Sequence, residues 1–249
     1  MNKEQFLPTP YCPSGEVTLC AVGARYGKIC EALERYGIEV LRIPEHGKLS
    51  QPVKAHADLQ LAVLKGERLL IAKGESDLRK LLETYGFQVK EAETELSNTN
   101  PQEALLDFVS TSSQIIGNRE IIGKIGLLNN SQIIHVKQGY TKCNLALINQ
   151  NAMITSDPSI TTACRKAGFD VLQIQPGFIE LPGYSHGFIG GCCGLISADR
   201  LAVCGELNTH PDHDRIQRFL MQYNVSVVEL CKGPLQDIGG IIPLKQKVQ

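Results

Sequence analysis

Tyr36-Gly37-Ile38-Glu39-Val40 reads as the end of a helix, a left-handed turn and the start of a strand. The same five-residue word returns as Tyr85-Gly86-Phe87-Gln88-Val89, Ala167-Gly168-Phe169-Asp170-Val171 and Tyr223-Asn224-Val225-Ser226-Val227. Gly and Asn are the residues that take the left-handed conformation after a helix at low steric cost. The alternation behind each of them is the period of a half-buried strand. A recurring word of this kind signals a repeat architecture, and it is sought before anything else because missing it misassigns the fold.

Working outward, the segment before each word has helical spacing. Ile29, Leu33 and Tyr36 form one apolar stripe; Leu78, Leu82 and Tyr85 form another; Ile216, Phe219, Leu220 and Tyr223 form a third. Asp157-Pro158 opens the helix that ends at Gly168, an N-cap followed by a proline at the first helical position. Pro211 is expected to open the last helix in the same way. A short apolar strand precedes each helix: Val17–Val22, Leu69–Ala72, Ala152–Thr155 and Leu201–Cys204. The gap between Gly86 and Gly168 holds two units, the first of them with a strand over Gln114–Gly117, a helix over Glu120–Leu128 with Ile121, Ile125 and Leu128 inward, and a return strand over Gln132–Val136. The expectation is one domain over residues 1–249 with pseudo-repeats at about 16–66, 67–113, 114–150, 151–199 and 200–249. Each unit alone leaves an apolar face bare, so five of them can cover one another by closing into a ring, which also protects strand edges. The competing architecture is a doubly wound sheet.

Equal spacing makes a prediction about the axis of such a ring. Asp58 follows Gly37 at the interval at which Asp107 follows Gly86, and Phe188-Ile-Gly-Gly is matched by Asp237-Ile-Gly-Gly. Superposed units bring Asp58, Asp107, Asn144, Phe188 and Asp237 together, with His56, Leu105, Lys142, His186 and Leu235 two residues earlier. Converging polar groups in an apolar centre mark a binding site. Its contents suit a small cationic or zwitterionic molecule, or acid–base work with His186 as proton shuttle and Asp237 as partner. His56, Asp58, Asp107, Lys142 and Asn144 would hold the ligand, and Asp157 joins that set besides capping its helix. Each aspartate taken singly also fits an Asx-type backbone cap. The glycines around His186 let backbone approach a ligand closely, or serve as bulges where the strand bends. Cys192 and Cys143 are the nucleophile candidates, although buried packing is the commoner fate of cysteine. Only one of the adjacent Cys192 and Cys193 can face His186. His210-Pro211-Asp212-His213 resembles a metal cluster but is better read as a helix start.

Composition narrows the class. The 249 residues are 43% hydrophobic and 20% charged with net charge −1 and no basic stripe, so nucleic-acid binding through phosphates has no support. No apolar run is long enough to cross a bilayer, and Met1–Pro13 has no signal-peptide core. Nine cysteines at irregular spacing, without a CxxC pair, suggest reduced thiols and a cytoplasmic setting. No Walker, GxGxxG or HExxH word is present, so no cofactor and no metal is expected. The expected partner is a small molecule, with no nucleic acid and no membrane; self-association as a homo-oligomer is compatible with the sequence.

Lys137-Gln-Gly-Tyr-Thr-Lys-Cys-Asn144, Ile154-Thr-Ser-Asp-Pro158, Leu181-Pro-Gly-Tyr, Gly187-Phe-Ile-Gly-Gly191 and Pro234-Leu-Gln-Asp-Ile-Gly-Gly-Ile-Ile-Pro-Leu244 carry a resemblance to the pentein, or guanidino-group-modifying-enzyme, fold. Within it the chain resembles an uncharacterised bacterial family. The resemblance covers essentially the whole chain and implies a five-fold pseudosymmetric α/β propeller, related to arginine deiminases, dimethylarginine dimethylaminohydrolases and amidinotransferases. In those enzymes a last-unit cysteine attacks the guanidinium carbon, a fourth-unit histidine moves protons and carboxylates hold the cation. His186 falls where the histidine is expected; Asp237 or Ile238 occupies the place of the cysteine. Three readings follow: an axial site with acid–base hydrolase chemistry, a cysteine-dependent amidinohydrolase or amidinotransferase using Cys192 or Cys143, and a non-catalytic binding protein, as in the ribosome anti-association factors that share the pseudosymmetry.

Overall fold

The computed structural model describes residues 4–127 and 132–248. Five small sheets carry the chain, not one doubly wound sheet. In each, a strand, a helix and a parallel return strand are flanked by an antiparallel strand. Ala152–Thr155 shows the pattern: it lies parallel to Asp170–Gln173 across the helix Pro158–Lys166, and antiparallel to Leu145–Leu147 on its other edge. Leu61–Lys65, Arg68–Ile71 and Gln88–Glu91 repeat it, as do Val109–Ser110, Gln114–Gly117 and Gln132–His135, and Cys193–Ser197, Arg200–Val203 and Ser226–Glu229. Each antiparallel strand comes from the end of one sequence unit and pairs with the start of the next. Closure follows from that offset. The last strand, Ile242–Lys247, lies antiparallel to Val17–Gly23, which pairs in parallel with Glu39–Ile43. Glu4–Phe6 then adds a fourth strand to this sheet.

The turns behave as their residues dictate. Gly37, Gly86 and Gly168 have φ of 76°, 85° and 94°, and Asn224 has 55°. Ile29 and Leu33, Leu78 and Leu82, and Ile216, Phe219 and Leu220 are buried under their helices. The tyrosines that close those stripes are not core residues. Tyr36 is 50% exposed, and two others link neighbouring units: Tyr85 donates to Glu39 Oε1 at 2.6 Å and Tyr223 to Asp170 Oδ2 at 2.6 Å. Their ring bodies cover apolar surface while the hydroxyl reaches a carboxylate, the usual division of labour in tyrosine.

Two helix boundaries need correction. The third-unit helix spans Arg119–Lys124, shorter than the spacing predicts, with Ile121 and Ile125 buried as expected; Leu128 lies outside the described residues. The last helix spans His213–Gln222, so Pro211 precedes it and does not occupy its first turn. Its start is held by Asp212, which accepts from the Gln175 N–H at 2.7 Å and from Arg215 at 2.7 Å.

At Pro158–Lys166 the sequence expectation holds closely. Asp157 Oδ1 accepts from the N–H groups of Ser159 at 2.7 Å and Ile160 at 2.9 Å. Asp157→Ala is expected to lower stability by about 1 kcal/mol, the usual cost of a lost N-cap acceptor, in urea melts. A loss below a few tenths of a kcal/mol would mean that the cap is not carrying the helix start.

The strands that end the units form the inner wall. Ile242–Lys247 packs against Cys193–Ser197, that strand against Leu145–Leu147, and Leu61–Lys65 against Val109–Ser110. The turns just before these strands therefore meet at one end of the ring axis. That is where the candidate site lies.

Candidate functional site

Four short turns deliver the central side chains. His56 precedes the single 3-10 turn Ala57–Leu59, which holds Asp58, and the Asp58 N–H is tied to Gly239 O at 3.2 Å. Asp107 follows the turn Gln102–Ala104; Cys143 lies in the one-turn helix Thr141–Asn144; Asp237 precedes the last strand. All five side chains are 1–3% exposed. Asp107 Oδ1 accepts from the Cys143 N–H at 2.9 Å, and the Cys143 thiol donates to Asp58 Oδ2 at 3.0 Å. The Lys142 ammonium donates to Gly190 O at 2.9 Å and stands 3.9 Å from Asp58 Oδ2. Asp237 accepts from the N–H groups of Phe188 at 2.9 Å and Gly239 at 3.0 Å, and its Oδ1 is 3.7 Å from His56 Nδ1, beyond a hydrogen bond.

Burial sets the electrostatics. It pushes Asp237 up to about 6, against the pull of the two backbone N–H groups and Lys142, and pushes His56 down to about 4. At neutral pH the imidazole is therefore neutral, and its approach to Asp237 is not an ion pair. Burial also raises Asp58, opposed by Lys142; burial and the neighbouring Asp58 raise Asp107 well above the carboxylate range. Cys143 is pushed well above a free thiol by burial and by the Asp107 and Asp58 carboxylates. Opposing this, Lys142 is raised despite its burial, chiefly by Asp58. Three carboxyls thus share a dry volume with one fixed cation, an arrangement that favours further protons or a second cation.

Above this cluster a cavity of about 140 Å³ opens, and His56, Cys143, His186, Phe188, Tyr140 and Asp237 are among its walls. It is smaller than the roughly 300–1,000 Å³ of pockets that take drug-sized molecules, so it suits one functional group or the end of a longer molecule. His56 Nε2, Asp58 Oδ1 and Asp107 Oδ2 have no hydrogen-bond partner among the described residues. Ligand atoms of His56, Asp58 and Cys143 come within 4.8 Å of one another.

The side chains named from sequence divide cleanly. Asp58, Asp107, Lys142, His56 and Asp237 are brought together, and His186 stands on the cavity wall, half-buried, with Nδ1 3.1 Å from Ser185 Oγ. Asn144 does not take the place opposite Asp58. The one-turn helix shifts the third unit by one residue, so Cys143 sits there, while Asn144 Oδ1 accepts from Ser156. The Asp157 carboxylate is engaged at its helix cap and with Gln138 Nε2, outside the cavity wall. Cys192 is fully buried, its thiol donating to Ile189 O at 3.2 Å, and is not a wall residue. His210 is held by Gln175 O at 3.2 Å and by the Asp212 N–H at 3.0 Å, which fits a helix start.

The glycines near His186 have a different use from the one expected. A Cβ on Gly191 would stand 2.0 Å from Asp237 Oδ1, one on Gly187 2.4 Å from Asp237 Cβ, and one on Gly239 2.4 Å from His56 Cα. They make room for the cluster's own side chains. Two wall residues had no counterpart in the repeat and escaped the sequence analysis. Tyr140 donates to Glu103 Oε2 at 2.6 Å, and Tyr184 stands 3.0 Å from Ser50 Oγ, so the wall is tied to two other loops. Both lie inside quoted motifs, which were the available signal.

Comparison with known proteins places the fold. A family model described as a family of unknown function, DUF6873, matches residues 21–242. No curated protein matches the chain. Among solved structures, an amidinotransferase of the saxitoxin biosynthetic pathway from Microseira wollei superposes with a TM-score of 0.56 at 12% identity, covering 97% of each chain. Agmatine deiminase from C. jejuni gives 0.53 at 10% identity over 92% of each. DDAH from Pseudomonas aeruginosa, solved with citrulline, gives 0.51 at 10% identity over 94% of this chain and all of the other. At such identities the likeness shows the fold, which is the pentein fold.

Proposed function

We propose, for a chain that belongs to the family of unknown function DUF6873, that the axial cavity binds the cationic end of a small guanidino or amino-acid-like molecule. The observation that carries this is the charge count in the cluster beneath it, from which Asp237 reaches the cavity wall. Asp58, Asp107 and Asp237 are buried around a single ammonium, with Asp58 Oδ1 and Asp107 Oδ2 unpartnered. A guanidinium supplies several donors in one plane together with the missing charge. Its stem would lie against Tyr140, Phe188 and Leu181 on the wall. His186, half-buried at the side, is placed to move a proton to or from a bound group.

A second reading is catalytic and rests on Cys143. Its thiol lies on the cavity wall and already donates to Asp58 Oδ2 at 3.0 Å. Transfer of that proton to Asp58 would free the thiolate to attack an amidino carbon. The C=N π pair moves to nitrogen, and a C–N bond then breaks as the departing amine takes up a proton from Asp58 or His186. A bound cation would offset the carboxylates that disfavour the thiolate. Amidino-group chemistry of this kind accords with the names of the structural relatives.

The test is binding of L-arginine and agmatine, followed by thermal shift and calorimetry between pH 5 and 8. Ionised Asp237 is needed opposite the cation, so affinity should rise with pH through about 6 and level off above it. Below that value each pH unit should cost up to about tenfold, because the ligand competes with a proton. His186→Ala should weaken binding or turnover without unfolding the chain. Binding that ignores pH over this range, or no binding of any guanidino compound, would sink the proposal. Release of ammonia or urea that vanishes in Cys143→Ser would select the catalytic reading.

A further inference from the structure

We infer that His56, Asp58 and Cys143 form a binding site for a borderline-soft divalent metal ion, of which Zn²⁺ is the natural occupant. No metal was expected from sequence, because no ligand motif is contiguous. The site is assembled by two separate turns. Ligand atoms of the three residues lie within 4.8 Å of one another, and all three side chains are buried. Donors about 2.0–2.3 Å from a tetrahedral ion stand roughly 3.3–3.6 Å apart, so small side-chain movements close the set. The 3.0 Å between Cys143 Sγ and Asp58 Oδ2 is already a little shorter than that spacing, so the two need only part slightly to admit an ion.

Unpartnered atoms supply the independent observation. His56 is 1% exposed and its Nε2 has no hydrogen-bond partner among the described residues; the same holds for Asp58 Oδ1. Buried nitrogen and oxygen atoms without partners are costly, and a metal ion held by the imidazole and the carboxylate removes that cost. His56 Nδ1, on the other side of the ring, stands 3.7 Å from Asp237 Oδ1. Closing that gap to a hydrogen bond would give the imidazole the carboxylate outer partner that a ligating histidine commonly has. Thiolate, imidazole and carboxylate together favour Zn²⁺ over Mg²⁺ or Ca²⁺, which prefer all-oxygen sites. Three protein ligands leave a fourth position, and His56 and Cys143 both border the 140 Å³ cavity, so that position faces the cavity. Lys142, 3.9 Å from Asp58 Oδ2, opposes the ion, but its ammonium is held by Gly190 O. Binding deprotonates the thiol: the Cys143 S–H bond breaks, a metal–sulfur bond forms, and the proton leaves through the cavity.

This site goes beyond the guanidino reading and does not need it; its test uses metal alone. Chelator-treated protein, kept reduced with a phosphine, is titrated with Co²⁺ and then Zn²⁺. The expected result is one bound Co²⁺, a near-ultraviolet thiolate-to-cobalt band, four-coordinate visible bands, displacement by Zn²⁺ and release of about one proton per ion. Cys143→Ser should abolish the charge-transfer band. His56→Gln should weaken Zn²⁺ by at least the roughly 10–100-fold that loss of an outer partner costs. Cys231→Ser, which alters the least buried thiol, should change nothing. Absence of the thiolate band in the unaltered chain overturns the proposal whatever the variants do. So does a band that survives in Cys143→Ser. Loss or gain of arginine binding bears on the other reading only.

Discussion

Gly190→Ala is expected to leave little folded protein. A Cβ at this position would stand 2.2 Å from Lys142 O and 2.4 Å from Leu145 O. Both are backbone atoms, one within and one just after the one-turn helix that presents Cys143, so neither can swing aside as a side chain tip would. Overpacking that side chains absorb costs about 1–3 kcal/mol. A backbone collision at the junction of the third and fourth units should exceed that range, against a total stability of roughly 5–15 kcal/mol for a domain. Gly190 O also receives the Lys142 ammonium, so any shift opens the axial cluster as well. Soluble yield and urea melts give the measurement, with Gly27→Ala as control. Gly27 begins a helix, has an ordinary φ, and would carry a Cβ with nothing within 4 Å of it, so its replacement should be neutral or mildly stabilising. Melting of Gly190→Ala within a degree or two of the unaltered chain would show that the turn and the strand are not packed as described.

Lys142→Met should be the most damaging change to the site itself. The methionine nearly keeps the volume but removes the one cation beside Asp58 and leaves Gly190 O without its donor. Breaking a buried pair in this way costs about 3–5 kcal/mol, because the partner remains as an uncompensated charge. The sign of the pH effect identifies the cause. Burial already raises Asp58 above its ordinary value, and Lys142 opposes the rise; without Lys142 the folded-state value climbs further. A group raised on folding contributes stability below its unfolded value and loses it as pH increases through the folded one. The variant should therefore be near its best in mild acid and fall away towards neutrality. Asp58→Asn in the same chain should recover part of the loss at neutral pH, since no lone charge is then buried. Equal destabilisation at pH 5 and pH 7, or no recovery in the double variant, would count against an ionised Asp58 paired to Lys142.

Both expectations concern a cluster whose members were mostly legible in the sequence. Asp58 and Asp107 stand at one interval behind Gly37 and Gly86, Asp237 is matched through the Ile-Gly-Gly it shares with Phe188, and the left-handed Gly37, Gly86, Gly168 and Asn224 mark the helix ends. Local chemistry sufficed there, because a residue that tolerates positive φ and an alternating run behind it say the same thing in any fold. The third unit was less legible. Its turn is wound into a helix of one turn, Thr141–Asn144, and this puts Cys143 where spacing alone selects Asn144. Asp157 shows the converse: its cap was evident from Asp-Pro, and the cap engages the carboxylate that the ligand assignment had also claimed. The glycines around His186 were seen, yet their purpose depends on Asp237 and His56, which reach them from other units.

The sequence by itself determined the five-fold repeat, the four helix ends closed by Gly or Asn and the convergence of carboxylates, because each depends on backbone propensity and regular intervals along the chain. Only the tertiary structure decided that every sheet borrows its antiparallel strand across a unit boundary, that the final strand closes on Val17–Gly23, and that a thiol, an imidazole and a carboxylate come within 4.8 Å of one another. Those outcomes are set by side chains of different units packing around a common axis, and no interval within a single unit encodes how far a neighbour's turn reaches across it.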